Sequence, residues 1–257
     1  MASQPFHILQ SKSPSLITLP GGSCEAHPFT LHGLLSSSWD WRHMIVRLRN
    51  TGYGVIVPDL LGYGDTDKPV ELNSYAMTQM THHIVEILDI EDGSAMLSML
   101  AIYHPDRLLR VVTVTVSYTP PGTFNYMNWF NTEEAVELWA ARAWLKAGKT
   151  TSLPPYITVP EYLIRQNIFS DGGYRAPLNW YKASMRGVNA ADDALISEEN
   201  KYLTLPNLFI QSTKDIAWGS ETQVQKIKRW ARNPRIENLE CGHWPQLEKP
   251  DELFILI

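Results

Sequence analysis

Cysteine is nearly missing from this chain of 257 residues, which has only Cys24 and Cys241. Two thiols cannot build a disulfide framework, and a two-Cys zinc site would need other ligands at recognisable spacing. Both therefore read as free or buried thiols, and no metal is expected. Positive charge is also scarce. Lys and Arg number 22 against 27 Asp and Glu, a formal charge of −5. That leaves no basic surplus to hold a phosphate backbone and argues against nucleic acid as a partner. No apolar run approaches the ~18 residues that a membrane span needs. Met1 to Gln10 has neither the basic start nor the apolar stretch of a secretory signal. The expectation is a cytoplasmic protein without a membrane span.

What is present fits a globular chain with one sizeable core. Hydrophobic residues make up 44% and charged residues 19%, which excludes disorder. Aromatic residues reach 11%, with nine Trp and eleven Tyr, and many fall between Phe124 and Trp180. Rings in that number bury large areas and often line apolar pockets.

Strand and helix patterns alternate through the first half. Pro28 to Leu31 is a short run ended by His32 and Gly33, and Trp41 to Arg49 reads as a helix with Met44, Ile45 and Leu48 on one side. Gly54 to Val57 is apolar on both faces, as buried parallel strands are. Met77, Met80, Ile84, Ile87 and Leu88 recur at helical spacing. Ala95 to Tyr103 is a second helix, closed by His104-Pro105. Val111 to Val116 is another buried strand. From Ser117 to about Leu203 the pattern turns helical (Glu133 to Ala147, Pro160 to Phe169, Trp180 to Arg186), and strands return at Asn207 to Gln211 and Ile236 to Glu240. This order predicts an α/β fold with a mostly parallel central sheet and a helical block inserted between its strands.

Two loops that follow predicted strands carry ionisable residues suited to catalysis. Asp215 follows Leu208 to Gln211, and His243 follows Ile236 to Glu240. In open parallel sheets ligands gather at the carboxyl ends of strands, so both side chains can reach one site. A carboxylate beside an imidazole makes a general base near neutral pH. An Asp and a His 28 positions apart are weak evidence by themselves, since unrelated loop residues give the same picture.

The wording around them is more specific. His32-Gly33, Trp39 to Arg42, Val57-Pro-Asp-Leu-Leu-Gly-Tyr-Gly-Asp-Thr-Asp-Lys-Pro69, Tyr103-His-Pro-Asp-Arg107 and Cys241-Gly-His-Trp-Pro-Gln-Leu-Glu-Lys-Pro250 occur in order. Together they resemble the α/β-hydrolase superfamily and, within it, the epoxide hydrolases, over residues 28 to 250. The resemblance implies a core of residues 1–116 and 204–257 with a helical cap at 117–203. It implies an apolar epoxide as the small-molecule substrate, a vicinal diol as product and no cofactor. In that chemistry a carboxylate opens the oxirane, and water activated by a His–Asp pair hydrolyses the ester. His243 matches the water-activating base and Asp215 its orienting acid. Tyr181 and Tyr126 match the two cap tyrosines that donate to the developing alkoxide, a role suited to a neutral phenol. Leu34 would supply an oxyanion-hole N–H, although this chain has Leu34-Leu35 where the family has an aromatic residue and then Pro. Gly93 and Trp180 would border the substrate.

The nucleophile is where the chain departs from that family, which sets its Asp on a sharp turn between a strand and a helix. Here the helix ending near Ile90 meets the one starting near Ala95 through Glu91-Asp-Gly-Ser94 alone. Asp92 is the remaining counterpart, and the strand before it is lacking. A buried strand of ~5 residues rises ~16 Å, and its loss would leave backbone groups of its neighbours unpaired. A second expectation follows: an inactive homologue that binds an apolar small molecule. A haloalkane dehalogenase would share the Asp nucleophile but has no need of two phenol donors. A serine esterase would need a Gly-x-Ser-x-Gly turn, and neither Ser94 nor Ser98 has the flanking glycines.

Overall fold

A computed structural model describes residues 28, 30–33, 36–53, 55–87, 95–123 and 136–257. Three strands, β1 (Val111–Val114), β2 (Asn207–Ser212) and β3 (Arg235–Leu239), pair in parallel in that order. Val111 stands opposite Asn207, and Leu208 opposite Arg235. Side chains of β2 alternate between two cores, as the two-residue period of a strand requires. Leu208 and Ile210 join one apolar cluster and Phe209 the other. A sheet covered on both faces is the arrangement that the alternation of strands and helices predicts.

Helix α1 (Arg42–Asn50) covers one face. Its Met44, Ile45 and Leu48 pack with Val55, Val57, Leu208, Ile210 and Leu239. The last helices, α9 (Pro245–Glu248) and α10 (Pro250–Leu256), close that side through Leu253, and Arg47 of α1 reaches Asp251 of α10 at 2.7 Å. On the other face α2 (Met77–Ile87), α3 (Ala95–Tyr103) and α8 (Ser220–Trp230) supply Met80, Ile84, Leu97, Leu100 and Ile227.

Two sequence expectations need correction. Val111 to Val116 is strand only as far as Val114, because Thr115 turns left-handed at φ 66°. Gly54 to Val57 is not a full strand. Its described part, Val55 to Val57, shows one bridge position, at Ile56, and Pro58 just beyond it shows another. Ile56 N–H donates to Pro28 O at 3.2 Å, and Thr30 N–H to Ile56 O at 2.8 Å, which is a parallel pattern of very short extent. Among the described strands none pairs with the outer edge of β1. On β1 the buried Thr113 hydroxyl has no partner. Seven residues (88–94) separate α2 from α3, and the four that the sequence assigned to this connection fall among them. They include Asp92 and Gly93 and lie outside the described residues.

Between β1 and β2 runs the helical block α4 (Val136–Lys146), α5 (Val159–Ser170), α6 (Pro177–Met185) and the single turn α7 (Ala190–Asp193). Helix α5 begins on a capping box. Glu161 N–H donates to Thr158 Oγ1, and the Glu161 carboxylate accepts from Thr158 N–H at 2.9 Å. These bonds satisfy donors that a helix start leaves open. The block is tied to the rest at several points. Asn189 Oδ1 accepts from Met77 N–H, and Thr78 donates to Asp192. Arg42 donates twice to Glu161 Oε1, at 3.1 and 2.9 Å. At its base Tyr118, fully buried, donates from its hydroxyl to Lys201 O at 2.9 Å. No helix among the described residues is long and apolar enough to cross a membrane.

Candidate active site

The carboxyl ends of β2 and β3 bring Asp215 and His243 together. Asp215 N–H donates to Ser212 O at 3.2 Å, so the chain turns directly off β2 and the carboxylate is placed beside the next strand's loop. Asp215 Oδ1 accepts from Ala217 N–H at 2.9 Å, and its Oδ2 lies 3.0 Å from His243 Nδ1. A carboxylate only accepts, so the proton of this bond sits on Nδ1. Nε2, on the far side of the ring, keeps its lone pair and can take a proton. The Asp215 side chain is 2% exposed and that of His243 is 24% exposed. The carboxylate is shielded and the imidazole stays reachable.

The turn carrying His243 is held at three successive residues. Lys214 N–H donates to Cys241 O at 3.0 Å, Gly242 N–H donates to Glu248 Oε2 at 2.9 Å, and Thr115 Oγ1 donates to His243 O at 3.3 Å. Cys241 is fully buried and its thiol is pushed up by burial, as expected of a structural thiol. Cys24 lies outside the described residues. Gln223, buried on α8, accepts from Ser117 N–H and hydroxyl, both at 3.1 Å, and donates to Trp218 O at 2.9 Å. It thus joins the loop after Asp215 to the chain leaving β1.

His32 is a clamp of a different kind. Leu60 N–H donates to its Nε2 at 2.9 Å, so Nδ1 carries the proton and donates to Gly33 O at 2.8 Å. Burial holds this imidazole below the usual histidine range, against the pull of Asp59 at 3.7 Å. Asp59, itself pushed up by burial, accepts from Ser38 N–H at 2.7 Å. The glycine at position 64, φ 49°, is needed here, because a Cβ on it would overlap the Asp59 carboxylate. Together these contacts tie Gly33 and Ser38 to the segment that follows Pro58. Leu34 and Leu35 themselves lie outside the described residues.

On α6, Trp180 is buried and its indole N–H donates to Leu61 O at 2.8 Å, with an edge-on contact to Tyr75. The indole N–H of the tryptophan expected to border a substrate is thus engaged by the protein itself. Tyr181 follows it, and burial raises its phenol. A phenol so placed stays neutral at pH 7. Tyr126 lies outside the described residues. No group of three or more His, Cys, Asp or Glu that could hold a metal occurs among the described residues.

Sequence reasoning missed Thr115, Ser212 and Gln223. Only Gln223 gives a signal, as a polar residue beside Val224 in the inward stripe of an amphipathic helix. The backbone turn at Thr115 leaves no compositional trace.

Residues 29–250 match the family model described as alpha/beta hydrolase fold. Among curated proteins the chain is 26% identical to bifunctional epoxide hydrolase 2 of Rattus norvegicus, over 86% of this chain and 49% of that one. It is 25% identical to epoxide hydrolase srdG of Neurospora crassa, over 94% of this chain and 89% of the relative. The chain thus spans about half the length of the first curated relatives it matches. Among solved structures it resembles an epoxide hydrolase from an endophytic Streptomyces, with a TM-score of 0.72 and 22% identity over 95% of this chain and 94% of that one. Epoxide hydrolase A of Mycobacterium thermoresistibile gives 0.70 and 21%, over 95% and 96%. At such identities the structural likeness shows the fold alone.

Proposed function

Because the chain belongs to the alpha/beta hydrolase fold family, we propose that it hydrolyses an apolar epoxide to a vicinal diol through an aspartyl ester. The observation that carries this reading is the 3.0 Å contact between His243 Nδ1 and Asp215 Oδ2. It leaves Nε2 as a base where the two strands end. The names of the curated relatives supply the substrate class, and residues 117–203 supply the cap over the site.

In this reading the Asp92 carboxylate attacks one oxirane carbon in line with its C–O bond. That bond breaks, and the oxygen takes a proton from the Tyr181 or Tyr126 phenol. The product so far is a hydroxyalkyl ester of Asp92. Water then adds to the ester carbonyl while His243 Nε2 removes its proton, and Asp215 stabilises the imidazolium. Backbone N–H groups, that of Leu34 among them, hold the tetrahedral oxyanion. Collapse of this intermediate expels the diol oxygen, which takes the proton from His243 and leaves Asp92 as the neutral acid. That acid releases its proton to solvent, which restores the carboxylate, and the phenolate takes one proton back from solvent, so the cycle closes with epoxide and water consumed and diol formed.

The test is a single turnover of an aryl epoxide in ¹⁸O-labelled water. Label entering Asp92 rather than the diol in the first turnover supports the ester route, and diol labelled in that turnover overturns it. A second reading is favoured by the seven residues between α2 and α3, few for a turn, a strand and a nucleophile. It makes the chain a homologue that binds the apolar ligand without turnover. Calorimetric binding of a diol together with no conversion of the epoxide selects that reading.

A further inference from the structure

A buried line of side chains ends on the backbone of His243. Cys241 Sγ lies 3.5 Å from Ser212 Oγ, Ser212 Oγ lies 2.7 Å from Thr115 Oγ1, and Thr115 Oγ1 lies 3.3 Å from His243 O. Each hydroxyl has one proton, which fixes the direction. A carbonyl only accepts, so the Thr115 proton is committed to His243. Ser212 must then donate to Thr115, and the Cys241 thiol donates to Ser212. The line runs one way, from thiol to serine to threonine to carbonyl.

The backbone at its far end is strained. Thr115 has φ 66°, and Val116 N–H donates to Val114 O at 2.7 Å, which closes a three-residue turn around it. This is the rare form of the γ-turn. A β-branched residue is a poor choice for positive φ, and such strain persists only where the surroundings over-determine it. Glycine would relieve the strain but would have no hydroxyl to offer.

We propose that Thr115 is a positioning residue, spending backbone strain to place one hydroxyl where it fixes the His243 carbonyl and, through it, the imidazole against Asp215. The inference rests on the reading of His243 as the base. Neither its neighbours on β1 nor the pinning of Cys241 and Gly242 does the same work, since those contacts stop one residue short of His243.

The experiment uses the full chain with Thr115→Val, Thr115→Gly and Thr115→Ser, and Asp215→Asn as reference. The first readout is the low-field proton resonance of His243 Nδ1, expected in the parent and lost in Asp215→Asn. The second is kcat and KM on an aryl epoxide. Thr115→Val should unfold cooperatively on heating, weaken or lose the resonance, and lower kcat about 10–100-fold with KM within about twofold. Thr115→Gly removes the hydroxyl while relaxing the backbone, so it loses the resonance even if the valine variant does not fold. Thr115→Ser should retain both signals. A folded valine or glycine variant with the parent's resonance and kcat overturns the proposal, as does a serine variant that behaves like valine. A parent without the resonance overturns it too. A parent with the resonance but without turnover sinks the hydrolase reading alone, and the resonance in the variants still decides the role of Thr115.

Discussion

Arg42 and Glu161 join the helical block to the sheet's covering layer. The guanidinium at the start of α1 donates from Nε and Nη2 to one carboxylate oxygen on α5, and that carboxylate also caps its own helix. His43 Nε2 stands 3.6 Å from the same oxygen. One side chain thus serves as helix cap and as latch. Its bonds to Thr158, reinforced by Arg42, hold the Glu161 carboxyl well below the usual range, at about 2.

Glu161→Ala should therefore remove both functions at once and cost roughly 1–2 kcal/mol at pH 7. The sign follows from linkage. A carboxyl held low in the fold stabilises it above the unfolded value of about 4.5, and this stability is lost as pH falls towards about 2. The parent's denaturant midpoint should drop more steeply than the variant's over that window. Parallel acid limbs for the two proteins would show that the latch is not formed.

His32 gives a second pH dependence of the same sign at higher pH. The buried ring is held neutral, so below about 6.5 the unfolded chain binds a proton that the fold refuses, and stability declines. Asp59, raised by burial, contributes with the opposite sign as pH falls towards its ordinary value of about 3.8. His32→Ala should cost about 2–4 kcal/mol by leaving Leu60 N–H and Gly33 O unpaired. It should also flatten the stability profile between pH 7 and 5, as read by urea unfolding at each pH.

In the proposed cycle, replacing His243 should stop the reaction halfway. His243→Gln is expected to lower steady-state turnover of an aryl epoxide by roughly 10²–10⁴-fold, while a covalent adduct of the mass of the epoxide accumulates on the protein. Intact-protein mass spectrometry reads it directly. Loss of turnover with no adduct would place His243 before ring opening and contradict the assigned order.

Trp180 and Tyr181 are adjacent and should separate cleanly. Tyr181→Phe removes a phenol donor, and kcat should fall about 10²–10³-fold with the thermal midpoint little changed. Trp180→Phe gives up the bond to Leu61 O and should cost about 1 kcal/mol of stability, with a smaller effect on kcat. The opposite split would exchange their roles.

The parts of the fold that the sequence made legible are those with a period. β2 reads as an apolar run and α1 and α2 as one-sided stripes, and each lies within a few residues of its expected place. The Asp215–His243 pairing was legible because both residues sit directly after a strand, where direction is set by the sheet. The end of β1 was not. Val116 fits a strand by composition, but a left-handed Thr115 breaks the run one residue earlier, for reasons that lie in Ser212 and His243. Trp180 shows a different limit. Its place beside Tyr181 suggests a ligand contact, and only the position of Leu61 reveals that its N–H is already used.

The bond from Tyr118 to Lys201 has a consequence for how such a chain can change over time. The two residues are 83 positions apart, yet they meet at the points where the chain leaves the sheet and returns to it. The described helices between them stand between two chain ends that this bond holds side by side. A segment with its ends stitched together can change in length at little entropic cost to the sheet. What must be kept is the set of side chains that dock on the rest, Glu161 on Arg42, Trp180 on Leu61 and Asn189 on Met77. The stretches of 136–201 that lie between those anchors are free to drift while β1 and β2 keep their register.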